Sequence, residues 1–152
     1  MFRLIVLCLL FVTAVDVQAH LIVKDAWVRE APPRARTLAM FLQLTNHDDK
    51  TINIVSASSE QFEKVEIHKT SFKNGMMRMQ RIESLEMSPN EVAVMKPGGL
   101  HIMLVKPARV FKAGDQINIK LHLASGKKKT VRALVRGKAP MTPMQNDHGH
   151  SH

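Results

Sequence analysis

The residues best equipped for chemistry in this sequence are two histidines and two methionines at fixed intervals. His68 is followed by ten residues and Met79, then by twenty-one and His101, then by one and Met103. Imidazole is a borderline ligand, and a thioether is uncharged, polarisable and does not titrate. Together they suit Cu(I) and fit Zn2+, Ca2+ or Mg2+ poorly. In extended chain, side chains two apart share a face. His101 and Met103 then project together while Leu100, Ile102 and Leu104 turn the other way, and Met77 shares the face of Met79. Around Glu66-Ile67-His68, Val65 and Ile67 read as core and His68 points away from them.

Each candidate has a plainer reading beside it. Methionine within a strand usually fills core, which is the expectation for Met40, Met87 and Met95. Met77 suits an apolar rim and a spare ligand equally well. His47, in an Asn-His-Asp-Asp turn, and His122, on the polar side of its segment, belong at the surface. His148, His150 and His152 alternate in a polar tail that can chelate Cu(II) or Zn2+ through nitrogen, adding a second copper and raising the local metal concentration. A different copper chemistry is available at His20. Cleavage after Ala19 would free its amine, and amine, imidazole and a second histidine together make a T-shaped Cu(II) site like the histidine brace of oxidative polysaccharide enzymes. Against an enzyme of that kind, one Trp and no Tyr leave no aromatic platform for a sugar. A β-sandwich interaction module with incidental Met and His would leave the spacing to chance.

The only cysteine, Cys8, lies in a leader. Met1-Phe2-Arg3 is a short basic start, Leu4 to Val15 is apolar apart from Thr13, and Val17-Gln18-Ala19 offers a small-residue cleavage point, so residues 1–19 read as a secretory signal peptide. The apolar run falls short of the roughly 20 residues a bilayer span needs, so no permanent membrane anchor is expected. A mature chain without Cys8 has no disulfide, iron–sulfur cluster, Cys-ligated zinc, thiol nucleophile or thiolate copper site. Whatever metal chemistry remains falls to His, Met and oxygen. Lys and Arg outnumber Asp and Glu by 22 to 13, a net charge of +9, and the leader removes Arg3 and Asp16 together. On an exported chain that charge suits an acidic protein or polyanionic surface, with no nucleic acid as partner.

The elements that must position these residues repeat with a period of two. Trp27-Val28, Leu38 to Leu44, Ile52 to Val55, Val65 to His68, Met76 to Ile82, Val92 to Met95, Leu100 to Val105, Ile117 to Leu123 and Val131 to Val135 are short apolar or alternating runs. Turn chemistry separates them, including Lys73-Asn74-Gly75, Pro97-Gly98-Gly99 and Ala113-Gly114-Asp115. About nine strands and no long helical segment predict an all-β sandwich or Greek-key barrel over residues 20–140. From Met141 the pattern is lost, and 141–152 reads as a flexible Met/His-rich tail.

The His68, Met79, His101, Met103 set sits in a wider frame. The frame comprises Asp25-Ala26-Trp27-Val28-Arg29 with Pro32-Pro33, Gly75-Met76-Met77-Arg78-Met79, Lys96-Pro97-Gly98-Gly99-Leu100-His101-Ile102-Met103-Leu104 and Ala113-Gly114-Asp115. Over nearly all of the mature domain this resembles the periplasmic copper chaperone family PCu(A)C. The resemblance implies a cupredoxin-like fold and one Cu(I) held in an exposed site by His68, Met79, His101 and Met103. It implies delivery to cytochrome c oxidase assembly, at the dinuclear copper centre of the oxidase copper subunit, directly or through a Sco-type chaperone. The expectation is therefore a monomeric carrier and not an enzyme. Lys69 stands where some members have Met, and Val105-Lys106-Pro107 where Met-Gly-Leu is expected; neither departure removes a ligand.

Overall fold

The structure is a computed structural model that describes residues 20–137. The leader over 1–19, the domain's last residues 138–140, and the tail with His148, His150 and His152 lie outside the described residues. Among the described residues there are ten strands and no helix: β1 (Leu21–Arg29), β2 (Thr37–Asn46), β3 (Ile52–Ser58), β4 (Phe62–Lys73), β5 (Met76–Arg81), β6 (Leu85–Met87), β7 (Val92–Met95), β8 (Leu100–Pro107), β9 (Gln116–Leu123) and β10 (Lys128–Arg136). Each of the nine expected runs falls on one of them. β6 is the addition, too short at three residues to display a period.

The strands β4, β8, β2, β1, β10, β9 and β3 are successive neighbours, and β3 returns to β4 through Ala57 and Val65. Seven strands therefore close into a barrel, which removes the sheet edges that an open sandwich would leave. β5, β6 and β7 pair onto β4, β3 and β2 respectively. Every pairing is antiparallel except β1 with β10. β1 is longer than its Trp27-Val28 signature because its pairing to β2 shifts register between Lys24 and Trp27, where Asp25 takes a φ of 51°. That bulge breaks the alternation on which a sequence reading depends.

Apolar residues at every second position fill the inside: Leu38, Met40, Leu42 and Leu44 of β2, Ile102 and Leu104 of β8, Ile117 to Leu123 of β9, and Val131, Ala133 and Val135 of β10. Burial of each large aliphatic side chain stabilises the fold by about 1.5–3 kcal/mol. Met40, Met87 and Met95 are core, as expected. Asn46 is the main polar fixture. Its buried Nδ2 donates to the carbonyls of Lys50, Met87 and Ser88 at 2.8, 3.0 and 3.1 Å, and its Oδ1 accepts from Asp48 N at 2.9 Å.

The β4–β5 turn sets the geometry of the candidate site. Lys73 faces Met76 across the two-residue loop Asn74-Gly75, whose φ values are 52° and 74°. Two successive positive φ angles define the tight turn that matches strand twist, and Asn-Gly is the pair that adopts it at least cost.

Candidate metal centre

Strand register brings the four predicted ligands to one wall. His68 is paired with His101 and Glu66 with Met103 between β4 and β8, while Thr70 is paired with Met79 between β4 and β5. Residues directly opposite one another point to the same side of a sheet. Glu66, His68 and Thr70 alternate with the core residues Val65 and Ile67, so His68, Met79, His101 and Met103 all project from the outside of the barrel. Met77, opposite Phe72, lies on the same wall one step nearer the hairpin tip.

The burial differs from an exposed four-ligand site. His68 is 8% exposed and His101 5%, whereas Met79 is 56% exposed and Met103 is half-buried. The imidazoles are enclosed because the outer wall is itself covered at their level. The Phe41 ring stands 6.5 Å from His101, and Trp27 packs against Phe41 at 4.8 Å with the two rings tilted by 43°. Two cations complete this wall, Arg29 over Phe41 at 5.6 Å and Arg136 over Trp27 at 5.5 Å. The His68 and His101 rings are 5.9 Å apart.

Hydrogen bonds leave each imidazole one nitrogen to offer. His101 Nδ1–H donates to the Gly99 carbonyl at 3.0 Å, so its lone pair sits on Nε2. The same carbonyl accepts from Thr70 N at 3.1 Å, tying β4 to the turn before β8. That turn closes tightly, with Gly99 N donating to Lys96 O at 3.0 Å and Gly98 at a φ of 77°. His68 Nε2–H donates to Glu66 Oε2 at 3.0 Å, and Arg81 holds the other carboxylate oxygen at 3.4 Å. The hydrogen bond from His68 is the main cause that keeps the Glu66 carboxyl below its ordinary range; partial burial opposes it, and the Arg81 charge assists. Among the described residues His68 Nδ1 is buried without a hydrogen-bond partner.

An orphaned buried nitrogen of this kind costs about 1–3 kcal/mol unless something fills it. With His101 Nε2 and two thioethers on the same wall, the donor set fits a soft monovalent copper ion. Among the described residues no group of three or more His, Cys, Asp or Glu is placed to hold a metal. His20 lies elsewhere: its carbonyl accepts from His47 N at 2.8 Å beside the Leu21–Asn46 pair. Phe41, at the level of the imidazoles, is five residues back along β2, roughly 17 Å. His47 is exposed as expected, and His122 is half-buried with its Nε2 2.7 Å from Ser58 Oγ.

Sequence reasoning missed Glu66 as a partner of His68 and the Trp27–Phe41 wall. For Glu66 a signal was present, because an acid two residues before a histidine on one strand must share its face. The wall had none, since it joins residues from three strands.

A closed, cupredoxin-like β-barrel with a histidine–methionine outer wall is the class defined by this fold. The same architecture is found in the copper-bound PCuAC domain from PmoF2, at a TM-score of 0.63 and 19% identity, over 76% of this chain and 91% of that one. It is found also in CuI-DR1885 from Deinococcus radiodurans, at a TM-score of 0.62 and 28% identity, over 76% of each chain. Residues 21–135 match the family described as "Putative lipoprotein LpqE-like", and the chain belongs to this LpqE-like family. "Putative lipoprotein Lxx21020" of Leifsonia xyli subsp. xyli is 30% identical over 115 residues, 75% of this chain and 68% of that protein. "Uncharacterized protein RP573" of Rickettsia prowazekii is 29% identical over 109 residues, 71% of this chain, which spans only 60% of that relative.

Proposed function

We propose that this protein is an exported copper carrier that binds one Cu(I) through His68, Met79, His101 and Met103 and hands it on without catalysis. The observation that carries the reading is the shared outer wall, where two imidazoles each keep one unprotonated nitrogen beside two thioethers. The copper-bound state of CuI-DR1885, 28% identical to this chain, supports it. The donor set divides the labour. Buried, hydrogen-bonded imidazoles give a preorganised base, while exposed Met79 is the ligand an incoming acceptor group can displace first. Met77 stands one step outward as a relay thioether. The recipient is a copper-accepting protein of respiratory oxidase assembly, either the oxidase copper subunit or a Sco-type chaperone, and the +9 charge favours an acidic docking face. The name of the Leifsonia relative, "Putative lipoprotein Lxx21020", supports export.

Competitive Cu(I) titration tests the site. The chain as secreted is compared with a truncation after Met144 and with Met79→Ala/Met103→Ala. The carrier reading expects one tight equivalent that survives truncation and is lost in the double substitution. Binding that survives the double substitution but needs His20 or the tail histidines would replace the strand-borne site with the histidine brace or with tail chelation of Cu(II).

A further inference from the structure

We propose that the tip of the β4–β5 hairpin docks this protein onto an anionic lipid surface. Phe72 is 70% exposed, Met77 65% and Met76 57%, a costly display of apolar area for a water-soluble strand pair. Register puts Phe72 and Met77 on one face of the hairpin, and Met76, opposite Lys73, on the other. A protein partner laid against the hairpin covers one face. An apolar tip with side chains on both faces is buried all round only by a medium that surrounds it, as the headgroup–acyl boundary of a bilayer does.

Charge agrees with that occupant. From Lys69 to Gln80 the hairpin carries Lys69, Lys73 and Arg78 and no acidic residue, with Lys73 flanking the turn opposite Met76 and Lys69 and Arg78 set behind Phe72 and Met77. Each cation near an anionic leaflet adds about 1 kcal/mol of attraction. A second copy of this chain is a poorer fit. Pairing along the outer edge of β5 would bring together two strands that each carry Arg78 and Arg81 and no acidic residue.

The depth is also consistent. His68 lies four residues behind Phe72, roughly 13 Å along the strand, and interfacial insertion reaches about 5–10 Å. The imidazole pair stays clear of the headgroups, with Met79 between them and the membrane. Docking itself needs no metal, so it is measured on the copper-free chain and stands or falls apart from the carrier reading.

The test is co-sedimentation of the chain as secreted with vesicles of about three parts phosphatidylcholine to one part phosphatidylglycerol, against phosphatidylcholine alone. The expected result is binding to the anionic vesicles, weakened by salt, and reduced about tenfold or more by Phe72→Ser/Met76→Ser, which keeps every charge. Phe72→Trp, which removes no apolar surface, should show a blue-shifted emission on the same vesicles. Binding unchanged in the serine pair, with no shift at Trp, would mean that net charge alone holds the chain there and would overturn the proposal. So would an absence of binding by the native chain.

Discussion

Replacing Glu66 tests the logic of the metal centre more sharply than replacing a ligand. The Glu66 carboxylate accepts from His68 Nε2–H at 3.0 Å, which fixes the tautomer and aims the orphaned Nδ1 outward. Hydrogen bonds to a charged group contribute about 1.5–3 kcal/mol. In Glu66→Ala that restraint is gone, the proton can sit on either nitrogen, and binding must first select the competent form. Loss of such a supporting partner typically weakens metal affinity about 10–100-fold, or about 1.4–2.7 kcal/mol, which matches the hydrogen-bond figure. Glu66→Gln keeps an oxygen acceptor in place and should recover most of the affinity. The assays are Cu(I) competition for all three proteins and long-range 1H–15N correlation of the apo imidazoles. Native His68 should carry its proton on Nε2 and His101 on Nδ1. A native His68 protonated on Nδ1, or an alanine variant with undiminished affinity, would refute the reasoning.

Met79→Ala should lower Cu(I) affinity while changing apo stability by less than about 1 kcal/mol, because more than half of that side chain already faces water; half-buried Met103→Ala should cost about 1–2 kcal/mol as well as affinity. Thermal unfolding of the apo forms checks both, and a large loss at Met79 would make it a packing residue. Asn46→Ala strands three carbonyls that its Nδ2 now serves and should destabilise the barrel by about 2–3 kcal/mol, read from denaturant midpoints, with a change under about 0.5 kcal/mol contradicting the role given to it. Glu66 titrates below its ordinary value of 4.5 in the folded protein, so its ionised form adds stability that is complete above that value and is lost as pH falls through the lower, folded one. The stability difference between native protein and Glu66→Gln should accordingly hold steady near neutrality and shrink on acidification; a difference that stays constant to about pH 3 would contradict it.

Much of the site was legible because strand arithmetic is rigid. Once Asn74-Gly75 is recognised as a two-residue turn, Met79 must come opposite Thr70, two positions from His68 and on its face. The His-x-Met of β8 then needed only to pair with β4 in a register that sends Ile67 and Ile102 inward together. Hydrophobic alternation enforces such a register, since a slip of one residue would turn the slipped strand's apolar side chains outward. Burial of the imidazoles was not legible. Alternation says that His68 and His101 leave the core, but the Phe41 ring beside His101, and the Trp27 ring against Phe41, come from neighbouring strands. The bulge at Asp25 likewise hid the first two-thirds of β1, and β6 is too short to announce itself.

The parallel pairing of β1 with β10 also governs when this molecule can exist. Trp27 meets Leu134 about a hundred residues further along, so a chain synthesised from its N-terminus cannot complete the barrel until almost its whole length is available. Non-local closure of this kind is slow, on a scale of milliseconds to seconds. During that interval the polypeptide remains open. A product that stops before β10 would not be a smaller barrel. It would be an unclosed sheet with two bare edges, inviting aggregation rather than partial function.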